Sequence, residues 1–324
     1  FYFYCPKEDL NHRLSWKKPY SDDWLKNFYK FNTYAQEKKI KVIFGIAPGL
    51  DFDFQSYANG SKIELDQLVK KFKKFLSFGV AHVAILFDDI PNNFRLKVKN
   101  EDEGTIHAEI VNETIRELGI PIFSVPRIYS DELMIENENY IDDFLREINK
   151  NSQIFFTGKN IVSKNFSSNK KIILEKIKEN KIINWDNFYA NDYCPKKLFI
   201  GPWLNRNLIE KSMINGTGMI ETDKLILEIV GKTGQRKGLQ LWKKILKKNN
   251  IPDQFFDVYQ HFLSPNFSFE NTIKPLKYND KLYESLDFLL WKWKTCISRE
   301  WYPYLLNFKH DLQILNKELS FNRI

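Results

Sequence analysis

The sequence predicts an α/β protein: a (βα)₈ TIM barrel that lacks its first strand within this chain, followed by a C-terminal helical region. Three observations carry that expectation. Short apolar runs alternate with helix-patterned segments at about 30 residues per unit, the signature of parallel βα units. Polar residues follow almost every run, and no Gly-x-Gly-x-x-Gly turn appears. After about residue 235 the strand-like runs stop. Roughly seven strands are countable where a closed barrel has eight. An open doubly wound sheet would accommodate seven. The polar strand ends, and a chain that opens at Phe1 as if in mid-strand, favour the barrel. The expected domains are residues 1–234 for the barrel and 235–324 for the helices.

Taken in order, residues 1–6 (FYFYCP) form an aromatic strand ending in Lys7-Glu8-Asp9. Ser21 is placed to cap a helix over 22–38, with Trp24, Phe28 and Phe31 on one side. Residues 41–47 (KVIFGIA) are a buried strand leading into Pro48-Gly49-Leu50-Asp51. Ser61 and Glu64 have the spacing of a capping box, ahead of helical Leu65, Leu68, Val69, Phe72, Phe75 and Leu76. Strand 82–90 follows, then a helix bearing Ile106, Ile110 and Val111, and a strand over 120–125. Further on, 140–148 reads as helix, 153–158 as strand, 170–179 as helix and 181–185 as strand. A short helix near 207–213 and a weak strand at 218–220 complete the alternation. Four apolar stripes then follow, carried by Leu239 to Leu246, Phe255 to Leu263, Leu282 to Trp293 and Leu305 to Leu319. Their three- and four-residue steps predict helices that bury those stripes as core.

Composition narrows the function. No apolar run reaches the roughly 18 residues of a membrane span, so no membrane partner is expected. The net charge is +8, but the lysines are scattered in pairs such as Lys70-Lys71 and Lys243-Lys244. That pattern reads as solvated helix faces rather than a nucleic-acid surface. The three cysteines, Cys5, Cys194 and Cys296, are far apart, which argues against a zinc ribbon and a disulfide framework and favours the cytoplasm. The five histidines show no ligand spacing, and no metal or cofactor is expected.

The chemistry points to Asp88 and Asp89, two carboxylates at the end of an apolar strand that Pro91 terminates. Successive strand residues face opposite ways, so the two can share a site only if the strand ends there. Adjacent carboxyls titrate as a coupled pair, which allows one to act as acid beside an ionised neighbour. In a parallel α/β fold, ligands collect at such strand ends. Lys7, Asp9, Tyr129, Trp185, Asn187 and Asp192 fall at the ends of other strands, and Asn215 precedes the last one. Aromatic faces with amides and carboxylates suit a carbohydrate, the rings covering apolar sugar faces and the polar groups holding hydroxyls.

Several of these residues lie in motifs of one family. Tyr4-Cys5-Pro6-Lys7-Glu8-Asp9 with His12-Arg13, Pro48-Gly49-Leu50-Asp51, Phe87-Asp88-Asp89-Ile90 and Thr157-Gly158 with Val162-Ser163 occur in order. Trp185-Asp186-Asn187, Ala190-Asn191-Asp192-Tyr193 and Leu198-Phe199-Ile200-Gly201-Pro202 follow. From Phe1 to about Lys224 the chain resembles glycoside hydrolase family 84, the O-GlcNAcase and β-N-acetylglucosaminidase group. The resemblance implies a (βα)₈ barrel and retaining hydrolysis of terminal β-linked N-acetylglucosamine, in which the substrate's acetamido oxygen attacks the anomeric carbon. It implies that Asp88 accepts from the acetamido N–H, and that Asp89 protonates the leaving oxygen and then activates water. Lys7, Asp192 and Asn215 would hold sugar hydroxyls, and Tyr129, Trp185 and Asn187 would line the acetamido pocket. The substrate would be a GlcNAc-bearing protein or glycan, and in some relatives the C-terminal helices pair two protomers as a homodimer. The family's Gly-Phe-Tyr-Gly strand would lie upstream of Phe1, and Gly216 stands where the motif after Asn215 usually has proline. Two other functions fit the same residues: an endo-acting hydrolase of an amino-sugar polymer such as hyaluronan, and a non-catalytic glycan-binding barrel.

Overall fold

A computed structural model describes residues 1–90, 102–163, 173, 176–177, 182–204, 211–233, 238–263, 265 and 280–321. The chain forms two compact units, Phe1–Ile161 with Ser168–Trp185, and Val162–Ser167 with Asp186–Ile324.

The first unit alternates strand and helix: β1 (Tyr2–Tyr4), α1 (Asp22–Glu37), β2 (Val42–Ile46), α2 (Phe54–Ala58), α3 (Ile63–Ser77), β3 (His82–Leu86), α4 (Glu103–Leu118), β4 (Phe123–Val125), α5 (Tyr140–Glu147), β5 (Gln153–Phe156) and β6 (Ile182–Asp186). Each strand pairs in parallel with the next, β1 through β6. Alternation along the strands sorts their side chains onto two faces. Val42, Phe44 and Ile46 of β2, with Val83 and Ile85 of β3, pack into one core with Phe28 of α1, Leu68 and Phe72 of α3 and Ile110 of α4. On the other face Phe3 of β1 stacks on Phe155 of β5 at 5.0 Å and meets Trp185 of β6 at 6.2 Å. A contact from the first strand to the fifth and sixth requires the sheet to curl, and this is the (βα)₈-type barrel the alternation predicts. Gly45 fits inside that curl because a Cβ there would lie 2.8 Å from Leu86 Cδ1 and 2.9 Å from Phe3 Cε2.

Local signals explain most boundaries. Ser21 accepts from the Trp24 N–H at 3.3 Å and caps α1, a contact worth about 1 kcal/mol. Gly119, at φ +67°, closes α4 in the left-handed conformation that glycine adopts without cost. The expected capping box at Ser61 does not form: Lys62 precedes α3, and no side chain caps it. Glu64 turns away instead, to accept from the Asp53 N–H and to pair with Lys17.

The second unit holds β7 (Ser212–Ile214) and the helices Ile220–Thr233, Gly238–Lys248, Phe255–Val258, Asp280–Asp287 and Cys296–Phe321. Trp242, Phe255, Leu286, Trp301, Leu305, Phe308 and Leu312 form its core, so each of the four apolar stripes contributes buried residues, although Leu239, at the start of the first, is exposed. Two expectations fail here. The last strand is Ser212–Ile214 rather than 218–220, and it occupies the end of the stretch expected as a helix near 207–213. Gly218 takes φ +76°, and Asp223 accepts from the N–H groups of Thr217 and Gly218, so Met219 and Ile220 lead into a helix. Residues 205–210, and most of the helix expected over 170–179, lie outside the described residues. Among the described residues no helix is long and apolar enough to cross a membrane.

Candidate active site

The two acids share a site because β3 stops at Leu86, and the backbone turns over at Asp89. Asp89 has φ +55°, a left-handed conformation that costs a non-glycine residue about 1 kcal/mol or more. The turn brings both carboxylates onto one cation. Lys7 Nζ donates to Asp88 Oδ2 at 2.7 Å and also to Asp89 Oδ2. The Asp88 side chain is 3% exposed and that of Asp89 40%. Asp88 Oδ1 is buried and has no hydrogen-bond partner among the described residues. The pair is therefore asymmetric, with an acceptor inside and a solvent-facing carboxylate beside it. Burial, followed by the Asp88 charge, pushes the nearby Cys5 thiol up to about 12, so it stays a neutral thiol rather than a nucleophile.

The segment between β1 and α1, which carries Lys7, is pinned along its length. Asp9 accepts from Tyr4 Oη at 2.7 Å, Tyr20 Oη at 2.8 Å and the Asn11 N–H at 2.9 Å. His12 Nδ1 donates to the Gly45 carbonyl at 2.8 Å, while the Ala47 N–H donates to the His12 carbonyl at 2.9 Å. Lys71 Nζ donates to the carbonyls of Asn11, Trp16 and Lys18 at 2.7, 2.5 and 3.0 Å. Burial pulls the Lys71 ammonium down to about 8. Asp9, which the sequence placed at the strand end with Lys7, is thus an internal anchor. Arg13 Nη2 donates to the Asp89 carbonyl at 3.1 Å. Lys71 had no distinguishing signal in the sequence, since it sits among other lysines on α3.

After β4, Arg127 makes two hydrogen bonds to Glu103, at 2.6 and 3.1 Å, and one to Glu136 at 2.7 Å. Its N–H donates to Tyr140 Oη at 2.9 Å, and Tyr140 Oη lies 2.8 Å from His107 Nδ1. Tyr129 follows this cluster, and its carbonyl accepts from the Thr157 N–H at 2.9 Å. Its ring lies 6.3 Å from that of Trp185, which also meets Phe155 at 5.6 Å. Both Tyr129 and Trp185 are buried.

In the second unit Asn215 Nδ2 donates to Asn187 Oδ1 at 3.4 Å, and the Asn215 N–H donates to the Asp186 carbonyl at 2.9 Å. Asp186 is buried and accepts from Trp203 Nε1 at 2.6 Å, which anchors the backbone that presents Asn187. Asp192 is exposed, and its carboxylate accepts from the Tyr193 N–H at 3.0 Å. Three groups of expected site residues are thus brought together: Lys7 with Asp88 and Asp89, Tyr129 with Trp185, and Asn187 with Asn215. Among the described residues no group of three or more His, Cys, Asp and Glu side chains could hold a metal ion.

Residues 1–219 match the family model described as beta-N-acetylglucosaminidase. The chain belongs to that family. It is a glycoside hydrolase family 84 chain, as the sequence motifs implied. It is 31% identical over 214 residues to protein O-GlcNAcase of Mus musculus, and 30% identical over 213 residues to that of Rattus norvegicus. Each match covers 64% of this chain but spans only 23% of the length of the relative. Among solved structures, a mutant O-GlcNAc hydrolase of Thermobaculum terrenum superposes with a TM-score of 0.76 at 22% identity, over 95% of this chain and 74% of that one. At that identity the likeness speaks for the barrel fold of the family.

Proposed function

We propose that the chain is the catalytic part of a retaining β-N-acetylglucosaminidase of the O-GlcNAcase type, which removes terminal β-linked N-acetylglucosamine from a protein or glycan. Residues 1–234 carry the barrel and 235–324 the helical region. The observation that carries this reading is the asymmetry of the acid pair. A buried carboxylate with an oxygen that has no partner among the described residues is suited to accept from an acetamido N–H, because a new hydrogen bond there relieves an unsatisfied charge. In this reading Asp88 orients the acetamido group so that its carbonyl oxygen attacks the anomeric carbon, and it stabilises the positive charge that develops on the oxazoline ring. Asp89, open to solvent, gives its proton to the leaving oxygen and then takes one from the water that opens the oxazoline. Configuration is retained because the anomeric carbon is displaced twice. Lys7 holds a sugar hydroxyl while bridging the acids, and Asp192 and Asn215 hold others. Tyr129, Trp185 and Asn187 line the acetamido pocket. Membership of a β-N-acetylglucosaminidase family supports the sugar and the reaction class.

The test compares an aryl β-N-acetylglucosaminide with the matching β-glucoside, using the full-length protein. Cleavage of the acetamido sugar alone is expected, since only that substrate carries the nucleophile. Comparable turnover of the glucoside would overturn the substrate-assisted mechanism.

A further inference from the structure

We infer that Arg13 is a positioning residue for Asp89, holding the strand-end turn in the conformation that lets both carboxylates face one cation; this rests on the reading of Asp89 as the proton donor. Neighbouring residues on an extended strand point to opposite faces; here β3 ends at Leu86, and Asp89, at φ +55°, meets Lys7 together with Asp88. That conformation still costs an aspartate about 1 kcal/mol, so a contact that fixes the turn favours it. The Asp89 side chain cannot supply the support, because it is 40% exposed and ends on a lysine that is itself 30% exposed. The backbone supplies it: the Asp89 carbonyl accepts from Arg13 Nη2 at 3.1 Å, a charge-assisted bond to the peptide group that follows the turn residue.

Arg13 can act as a fixed point because the backbone next to it is tied down. His12 is bound to β2 and to the residue after it, by Nδ1 to the Gly45 carbonyl at 2.8 Å and by its own carbonyl from the Ala47 N–H at 2.9 Å. Lys71 holds the carbonyls of Asn11 and Trp16 on either side. The same segment carries Lys7, so one piece of chain places both the cation between the acids and the bond that turns the second acid toward it. The guanidinium touches the peptide carbonyl rather than the reacting carboxylate, so it acts on the chemistry through Asp89.

Two measurements on the full-length protein test this. In a crystal structure of Arg13→Ala, Asp89 should leave the left-handed region and its carboxylate should separate from Lys7. Asp89 remaining at positive φ on Lys7 would overturn the inference, whether or not the protein is active. In kinetics, Arg13→Ala should lower kcat about tenfold or more on an N-acetylglucosaminide with a poor leaving group, and much less on an activated aryl one, with KM little changed. Arg13→Lys, which keeps one donor, should recover part of the loss. Equal losses on both substrates together with a lowered Tm would mark a merely structural role and reject positioning. Failure of the Asp89 assignment itself would show separately, as Asp89→Ala retaining full activity on poor leaving groups.

Discussion

Two clusters of buried or half-buried charge stand at strand ends of the first unit, and they are built on opposite plans. After β4, Arg127 is 3% exposed and every charge is matched: two bonds to Glu103, one to Glu136, and the peptide N–H to Tyr140. After β3, two carboxylates share the single ammonium of Lys7, one buried oxygen has no partner among the described residues, and the backbone is held at positive φ. The first arrangement spends its hydrogen bonds on holding a loop. The second leaves capacity unused, and unused buried capacity is what a ligand can fill. Mutation should separate the two, one cluster losing stability and the other activity.

The largest effect on stability is expected from Arg127→Met. It would strand Glu103 in the interior without its cation, at a cost of about 3–5 kcal/mol, measurable as a loss of unfolding free energy in urea. A cost under about 1 kcal/mol would mean that the cluster behaves like a surface pair. Lys7→Met should do the reverse. Asp88 is buried, but Lys7 is itself 30% exposed and Asp89 40%, so the change in unfolding free energy should be the smaller of the two, while kcat/KM falls about ten- to a hundredfold, the worth of a charged hydrogen bond of roughly 1.5–3 kcal/mol. A Lys7→Met protein that unfolds as easily as Arg127→Met would break the contrast.

A subtler difference lies in pH. His107 belongs to the matched cluster; burial, then the Arg127 cation, hold its pKa well below the ordinary 6.5. The unfolded chain takes up a proton near pH 6.5 and the folded chain does not. The stability this histidine contributes is thus complete above pH 6.5 and drains as pH falls below it. Burial brings His261 of the second unit down to about 3, with the same sign. Tm should therefore begin to fall below pH 6.5, before the carboxylates titrate. Replacing His261 with Phe, which keeps a ring on Phe308 at the 3.9 Å stacking position, should flatten the slope. A Tm that is constant between pH 7 and 5 would contradict the assignment of neutral buried histidines.

The parts legible in the sequence were those set by local chemistry. Apolar runs gave the strands of the first unit, Ser21 gave a helix start, and the doubled aspartate marked a strand end whose neighbours would matter. Distant partners decided the rest. Glu64 sits correctly spaced for a capping box, but Lys17, 47 residues earlier, claims its carboxylate. Met219 and Ile220 look like a strand until Asp223 and Gly218 turn the chain into a helix. Lys7 was expected to touch a sugar, and its reach across 81 residues to Asp88 could not be read from either motif alone. The left-handed Asp89 had little signal, since aspartate enters that conformation more often than most residues but far less readily than glycine.

On the proposed mechanism the neighbouring acids do different work. The measurement that separates them compares Asp88→Ala and Asp89→Ala in the full-length protein, on N-acetylglucosaminides whose leaving groups span activated aryl to alkyl. Asp89→Ala should lose about 10²–10⁴-fold on the poor leaving groups and little on the activated ones. Asp88→Ala should lose about 10²–10³-fold on all of them, since every substrate needs its acetamide oriented and the developing charge stabilised. Equal losses by Asp89→Ala across the series, or an Asp88→Ala protein that keeps its rate, would contradict the division of labour.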